Sequence, residues 1–124
     1  MAMVVDSSGR VGYEIEDGLR RAEGYGMILR VFRAIIHDGM QDEFQKFFLG
    51  KALPNVRSQA GLISATVGLP RKESPNEFSM VMVWRDVEAL KGLAGENWRQ
   101  GVIDPDEVHL LETTYLHHFD LAEV

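Results

Sequence analysis

The sequence predicts an α+β fold of the ferredoxin-like type, βαββαβ, with helices on one face of a four-stranded antiparallel sheet. Three observations carry this. Apolar, β-branched runs recur at 27–36, 62–69, 78–84 and 108–121. Helix-spaced apolar residues lie between the first and second of these runs and again between the third and fourth. The second and third runs are joined by PRKESPNE (70–77), a polar, proline-bearing connector of hairpin type.

Taken in order, residues 1–25 mix glycine and charge around a short helix-like patch from Asp17 to Ala22. They read as an N-terminal extension, either flexible or an arm that docks on a neighbour. The folded domain is expected over 26–124. MILRVFRAII (27–36) is apolar on much of both faces and predicts a central strand. In the next segment Met40, Phe44, Phe47 and Phe48 recur at helical spacing. Pro54 should kink or end that helix near Ala52 or Leu53. LISATVGL and FSMVMVW are the middle strands. Asp86 caps a helix whose inner face is Val87, Leu90 and Leu93. The loop GVIDPDE leads to the last strand, and its carboxylates read as a solvated charge run. The sheet's second face would be bare in a single chain. Ile28, Ala65, Val81 and Val83 are too apolar to leave it in water, which predicts a homodimer formed through that face.

Composition removes whole classes of function. Nineteen Asp and Glu against 13 Lys and Arg give a net charge of -6, which does not suit a nucleic-acid binder. No basic amphipathic helix favours a membrane surface, and no apolar run is long enough to span a bilayer. The chain has no cysteine, so disulfides, thiol nucleophiles, iron–sulfur clusters and cysteine-held zinc are excluded. A cytoplasmic location is the expectation. His117 and His118, adjacent on a strand, point to opposite faces, and no histidine has a ligand-spaced carboxylate, so no metal is expected.

Alternation along the third strand puts Phe78, Met80, Met82 and Trp84 on one face. That set is either core filler or the wall of a pocket for an aromatic ligand. Trp98, just past the second helix, either caps a cleft or seals the helix end. One histidine of the 117–118 pair is either a general base or a hydrogen-bonded edge residue. Arg30 and Arg33, inside the first strand, each need a partner: a carboxylate such as Glu112, or an anionic oxygen of a substrate.

RVFRAII, PNVRSQAGLISATVG and the run from EFSMVMVWRDVEAL through AGENW to LHHFD resemble the antibiotic biosynthesis monooxygenase superfamily, over about residues 27–121. The resemblance implies a dimeric α+β barrel with a cleft between sheet and helices in each subunit. It also implies oxidation of a quinol or polycyclic phenol by dioxygen, without metal, flavin or other cofactor. In such chemistry the protein takes a proton, holds the oxyanion and excludes water. His118, Trp84 and Arg30 are the residues expected to carry it, with Met80, Met82, Phe78, Trp98 and Phe44 against the substrate. A haem-degrading branch has an Asn on the first strand and a Trp/His pair on the second helix. Here no such Asn occurs, and Leu93 and Ile103 stand near the pair's places, which disfavours haem degradation. The alternative to an enzyme is a homodimer of the same fold that binds a small apolar ligand without turnover.

Overall fold

The computed structural model describes residues 26–122, and the backbone of residues 2–5, 11–15 and 18–21. The N-terminal strands β1 (Ala2–Val5), β2 (Val11–Ile15) and β3 (Gly18–Arg21) form their own antiparallel sheet in the order β1-β2-β3. Of the helix-like patch, Gly18–Arg21 is a strand that pairs with Gly12–Ile15, while Asp17 and Ala22 lie outside the described residues. An isolated patch of one to two turns cannot repay helix nucleation, whereas strand pairing satisfies the backbone at once.

The domain from Gly26 onward has the expected βαββαβ order. After β4 (Ile28–Ile36), helix α1 (Gln41–Phe47) runs through a π-helical stretch, Phe48–Ala52, into α2 (Leu53–Arg57). The hairpin strands β5 (Leu62–Gly68) and β6 (Glu77–Trp84) follow. Helix α3 (Val87–Ala94) and a 3₁₀ turn (Val108–Leu110) then lead to β7 (Leu111–Asp120). The sheet order is β5-β6-β4-β7, antiparallel throughout, with β4 and β6 central. The last strand starts three residues later than expected because Val108–Leu110 is wound into the turn.

Pro54 does not end the first helical segment. It sits in the first turn of α2, directly after the π stretch, where the Leu53 N–H reaches back to the Phe48 carbonyl. The wider register absorbs the missing N–H and the ring clash that a continuous α-helix would suffer. Asp86 is the expected N-cap, its side chain accepting the Ala89 N–H at 2.8 Å. Gly61, at φ +84°, lies where a Cβ would collide with the Ala89 side chain, so the absence of a side chain lets α3 lie close to the start of β5.

The helix-facing side of the sheet is built in rows by the register. Trp84, Ile28 and Asp120 form one row; Met82, Arg30 and His118 the next; then Met80, Phe32 and Leu116; and finally Phe78, Ala34 and Thr114. Phe44 and Phe48 from the helices close on this face, with Phe44 centroids 5.0 Å from Phe48 and 4.8 Å from Phe78. Burying each such ring contributes about 1.5–3 kcal/mol.

The opposite face carries Leu29, Val31, Val81, Val83, Tyr115 and Phe119, and the last two are 44% and 53% exposed. The expectation that Ile28 and Ala65 belong to this bare face is corrected. Ile28 is buried beneath the helices, and Ala65, cross-strand from Met82, packs on the same core. The pairing of Ile28 with Trp84 and of Ala65 with Met82 puts both side chains inside. Among the described residues no helix is long and apolar enough to cross a membrane.

Candidate functional site

Among the described residues Arg30 is the one buried arginine, 3% exposed in the middle of the central strand. Its guanidinium donates from Nη1 to the Trp98 carbonyl at 2.6 Å and to His118 Nε2 at 2.7 Å, and from Nη2 to the Gln100 carbonyl at 3.4 Å. All three acceptors are neutral, so the charge is not cancelled by a carboxylate. Desolvation lowers its pKa to about 10, which still leaves it protonated at neutral pH. The expected partner Glu112 does not serve either arginine. Arg33, on the outer face, pairs through two hydrogen bonds with Glu77, at 2.6 and 3.1 Å.

A guanidinium has no acceptor, so His118 Nε2 must be the accepting nitrogen and the ring proton resides on Nδ1. Burial, then the nearby charge of Arg30, lowers the His118 pKa to about 4. The ring is thus neutral over the physiological range, with its basic nitrogen occupied. Trp98 meets His118 edge to face, with centroids 5.0 Å apart, and the Arg99 guanidinium lies 4.3 Å over Trp98. This stack forms one side of an open depression that also includes Lys91, Glu96 and Asp120.

On the other side of Arg30 lies a narrow cleft of about 60 Å³ between sheet and helices, lined by Phe32, Phe48, Met80, Met82, Leu93 and Glu107 among others. A second chamber of about 130 Å³ adjoins it, sharing Ala52, Val56, Leu93, Val102 and Glu107 and opening beside Lys51 and Asp104. The π-helical stretch supplies Phe48, Lys51 and Ala52 to these walls.

The expected site residues are therefore split. Arg30, Met80 and Met82 line the cleft, whereas Trp98 and His118 line the depression behind Arg30. Trp84, Phe44 and Phe78 are wholly buried in the core and line neither space. The Trp84 indole N–H is buried with no hydrogen-bond partner among the described residues. Alternation put Trp84 on the correct face, but its row lies at the end of the sheet, one row beyond Arg30.

Glu107 is the residue that the sequence pattern concealed. Its neighbours Asp104 and Asp106 are the solvated carboxylates of the loop, both bridged to Lys51 at 3.0 and 2.9 Å. Glu107 itself is 4% exposed, corrects the reading of the whole run as solvated, and forms no salt bridge among the described residues. Its Oε1 accepts only a long hydrogen bond, 3.4 Å, from the Asp104 N–H. Desolvation pushes its pKa up to about 7. The legible signal was positional. Glu107 follows Asp104 by three residues in a tight turn, closed by Glu107 N–H to Asp104 C=O at 2.9 Å, and immediately precedes the 3₁₀ turn Val108–Leu110, whose Leu110 is buried.

No family model matches the chain, and no curated protein matches its sequence. Solved structures do match. SnoaB, a cofactor-independent oxygenase from Streptomyces nogalater, is 24% identical, with 80% of this chain and 96% of SnoaB aligned at a TM-score of 0.59. A Shewanella oneidensis protein aligns at a TM-score of 0.63 and 17% identity, over 76% of this chain and 89% of its own. A Bordetella bronchiseptica protein assigned by name to the antibiotic biosynthesis monooxygenases is 19% identical, with a TM-score of 0.54 over 76% and 95% of the two chains. At these identities the likeness establishes architecture alone. The chain has the α+β fold of the antibiotic biosynthesis monooxygenases.

Proposed function

We propose that the protein is a cofactor-free monooxygenase that oxidises a small phenol or quinol-type aromatic with dioxygen in the cleft beside Arg30. The observation that carries this reading is Arg30 in the wall of an apolar cleft, its guanidinium buried, protonated and without a carboxylate partner among the described residues. Such a group stabilises a phenolate by placing fixed positive charge in a low-dielectric site. The phenolate passes an electron to dioxygen, and recombination at a ring carbon puts one oxygen atom into the product. The second oxygen leaves as water, so a phenol and one O₂ give a quinone and one H₂O with all electrons supplied by the substrate. Met80, Met82 and Phe32 provide a polarizable, water-excluding wall. His118 acts here by fixing the Arg30 fork, not as the base first expected of it, because its Nε2 already accepts from Arg30.

The cleft also selects for size. An apolar cavity that takes up benzene is about 150 Å³, against about 60 Å³ here with an adjoining chamber of about 130 Å³. A single-ring substrate fits by joining the two spaces, whereas a polycyclic phenol requires α2 and the 98–107 loop to part. The homodimer belongs to the same reading, since a second copy would cover Val81, Tyr115 and Phe119 on the bare face. Sedimentation at increasing protein concentration tests that association.

The test of function is oxygen uptake by metal-free protein with a panel of monocyclic and polycyclic phenols, compared with Arg30→Gln. Uptake that depends on Arg30 and favours single rings is the expected result; equal uptake by the two proteins would remove Arg30 from the reaction. A second reading, a small-ligand binder without turnover, is favoured by one observation. The Arg30 fork already has three acceptors and so also serves to hold the 98–100 loop on the sheet. Saturable binding of a phenol with no oxygen uptake would support that reading.

A further inference from the structure

We propose that Glu107 is the group that accepts the proton of an acidic aromatic bound beside Arg30, so that the cleft takes up a neutral phenol and holds it as a phenolate. The inference rests on the phenol-binding reading above but does not require turnover.

The geometry is specific. Glu107 is the carboxyl group shared by the linings of both the cleft and its outer chamber, and Arg30 lines the cleft from the opposite, sheet side. Leu93, Val102, Ala52 and Val56 surround it with hydrocarbon. The charged groups that act on it are Lys51 from the π-helical stretch and Asp104 from its own loop, and Arg30 from β4 shares the lining of the cleft. Lys51 is already bridged to Asp104 and Asp106, and Asp104 offers only a 3.4 Å N–H contact. A buried carboxyl with so few partners is costly to keep as an anion and has a strong affinity for a proton. Burial raises its pKa to about 7, which suits a base working near neutral pH. His118 cannot take this role while its Nε2 is engaged with Arg30.

The proton balance is closed. The phenol O–H bond breaks, its proton joins a Glu107 carboxylate oxygen, and the electron pair stays on the phenolate oxygen next to Arg30. The negative charge moves from Glu107 to the ligand, and no proton is exchanged with solvent.

The probe is 4-chlorophenol, a single-ring phenol whose ultraviolet spectrum changes on ionisation, titrated into the full-length protein at pH 8 in weak buffer with a pH indicator. For the native protein the bound ligand is expected to show the phenolate spectrum with no net proton release. In Glu107→Gln, of the same shape, the ligand should bind at least tenfold more weakly, either as neutral phenol or as phenolate with one proton released. A second measurement needs no variant: at pH 5, with Glu107 already protonated, the native protein should no longer bind phenolate without releasing a proton. Phenolate binding by the native protein with one proton released at pH 8, or bound ligand that remains neutral, would overturn the role of Glu107 while leaving a ligand cleft at Arg30. No binding of 4-chlorophenol to the native protein would overturn both.

Discussion

Arg30 and Arg33 stand three residues apart on the same strand and meet opposite fates. Arg33 points to the outer face, bonds Glu77 through two hydrogen bonds and lies 5.0 Å from the centre of the Tyr115 ring. Its side chain is 42% exposed. Arg30 points to the helices, is 3% exposed, and is held by two backbone carbonyls and an imidazole nitrogen. A carboxylate partner cancels an arginine's charge; neutral acceptors orient it and leave the charge available. Strand alternation assigned the two faces, and the identity of the acceptors made only one of them a candidate for binding an anion.

The difference between the faces can be tested first through their aromatics. Phe44→Ala should cost about 3–5 kcal/mol of stability in urea unfolding, because it removes a wholly buried ring stacked on Phe48 and edge-on to Phe78. Tyr115→Ala, on the exposed face, should move the midpoint far less in dilute protein. If the two variants are equally damaged, the outer face is as tightly packed as the inner.

A second contrast uses ligand affinity. Arg30→Met should weaken 4-chlorophenol binding about 10- to 100-fold, the loss of one hydrogen bond to a charged group at about 1.5–3 kcal/mol. Arg33→Met should change it less than twofold. A large loss in the Arg33 variant would mean that the ligand lies on the other face of the sheet.

Acidity sharpens the comparison further. Glu107 has its pKa raised from 4.5 to about 7, so the folded state holds the proton more tightly than the unfolded chain. Its contribution is present below pH 4.5 and is lost as pH rises through about 7, roughly 3 kcal/mol in all. His118 runs the other way, lowered from 6.5 to about 4, so its contribution is present above pH 6.5 and is lost as pH falls toward 4. Over the shared window the two slopes oppose each other. Glu107→Gln should therefore unmask a stability that rises with pH between 4 and 6.5, and His118→Leu one that falls between 4.5 and 7. Parallel pH profiles for native protein and Glu107→Gln would show that Glu107 is not protonated by the fold.

The smallest effect is expected at the Arg33–Glu77 pair. Being partly exposed, it should show coupling in a double-mutant cycle at low salt that vanishes near 1 M salt. Coupling that survives high salt would mean the face is covered in solution, as a second copy would cover it.

The βαββαβ order was legible because each strand and helix carries its own period, and the Asp86 cap and the hairpin connector mark their own ends. Met80 and Met82 were legible as one face of their strand, since alternation places them together; that Arg30 shares this face follows from the strand pairing. Trp84 and Phe78 share that face and still line no cleft. Alternation determines the side of the sheet, while the position of the helices over it determines which row is left uncovered. Gly18–Arg21 was misjudged because so short a segment takes whichever structure its neighbour offers.

By itself the sequence determined the alternation of faces, the start of the second helix at the Asp86 cap and the exclusion of cysteine chemistry, because these depend on residues near one another along the chain. Tertiary structure alone decided that Arg30 would meet His118, 88 positions away, and so take the nitrogen expected to act as a base. It also decided that Glu107 would be the one carboxylate of its loop to turn inward. Both outcomes depend on desolvation by segments distant in sequence, and a pKa is set by what surrounds a group in space.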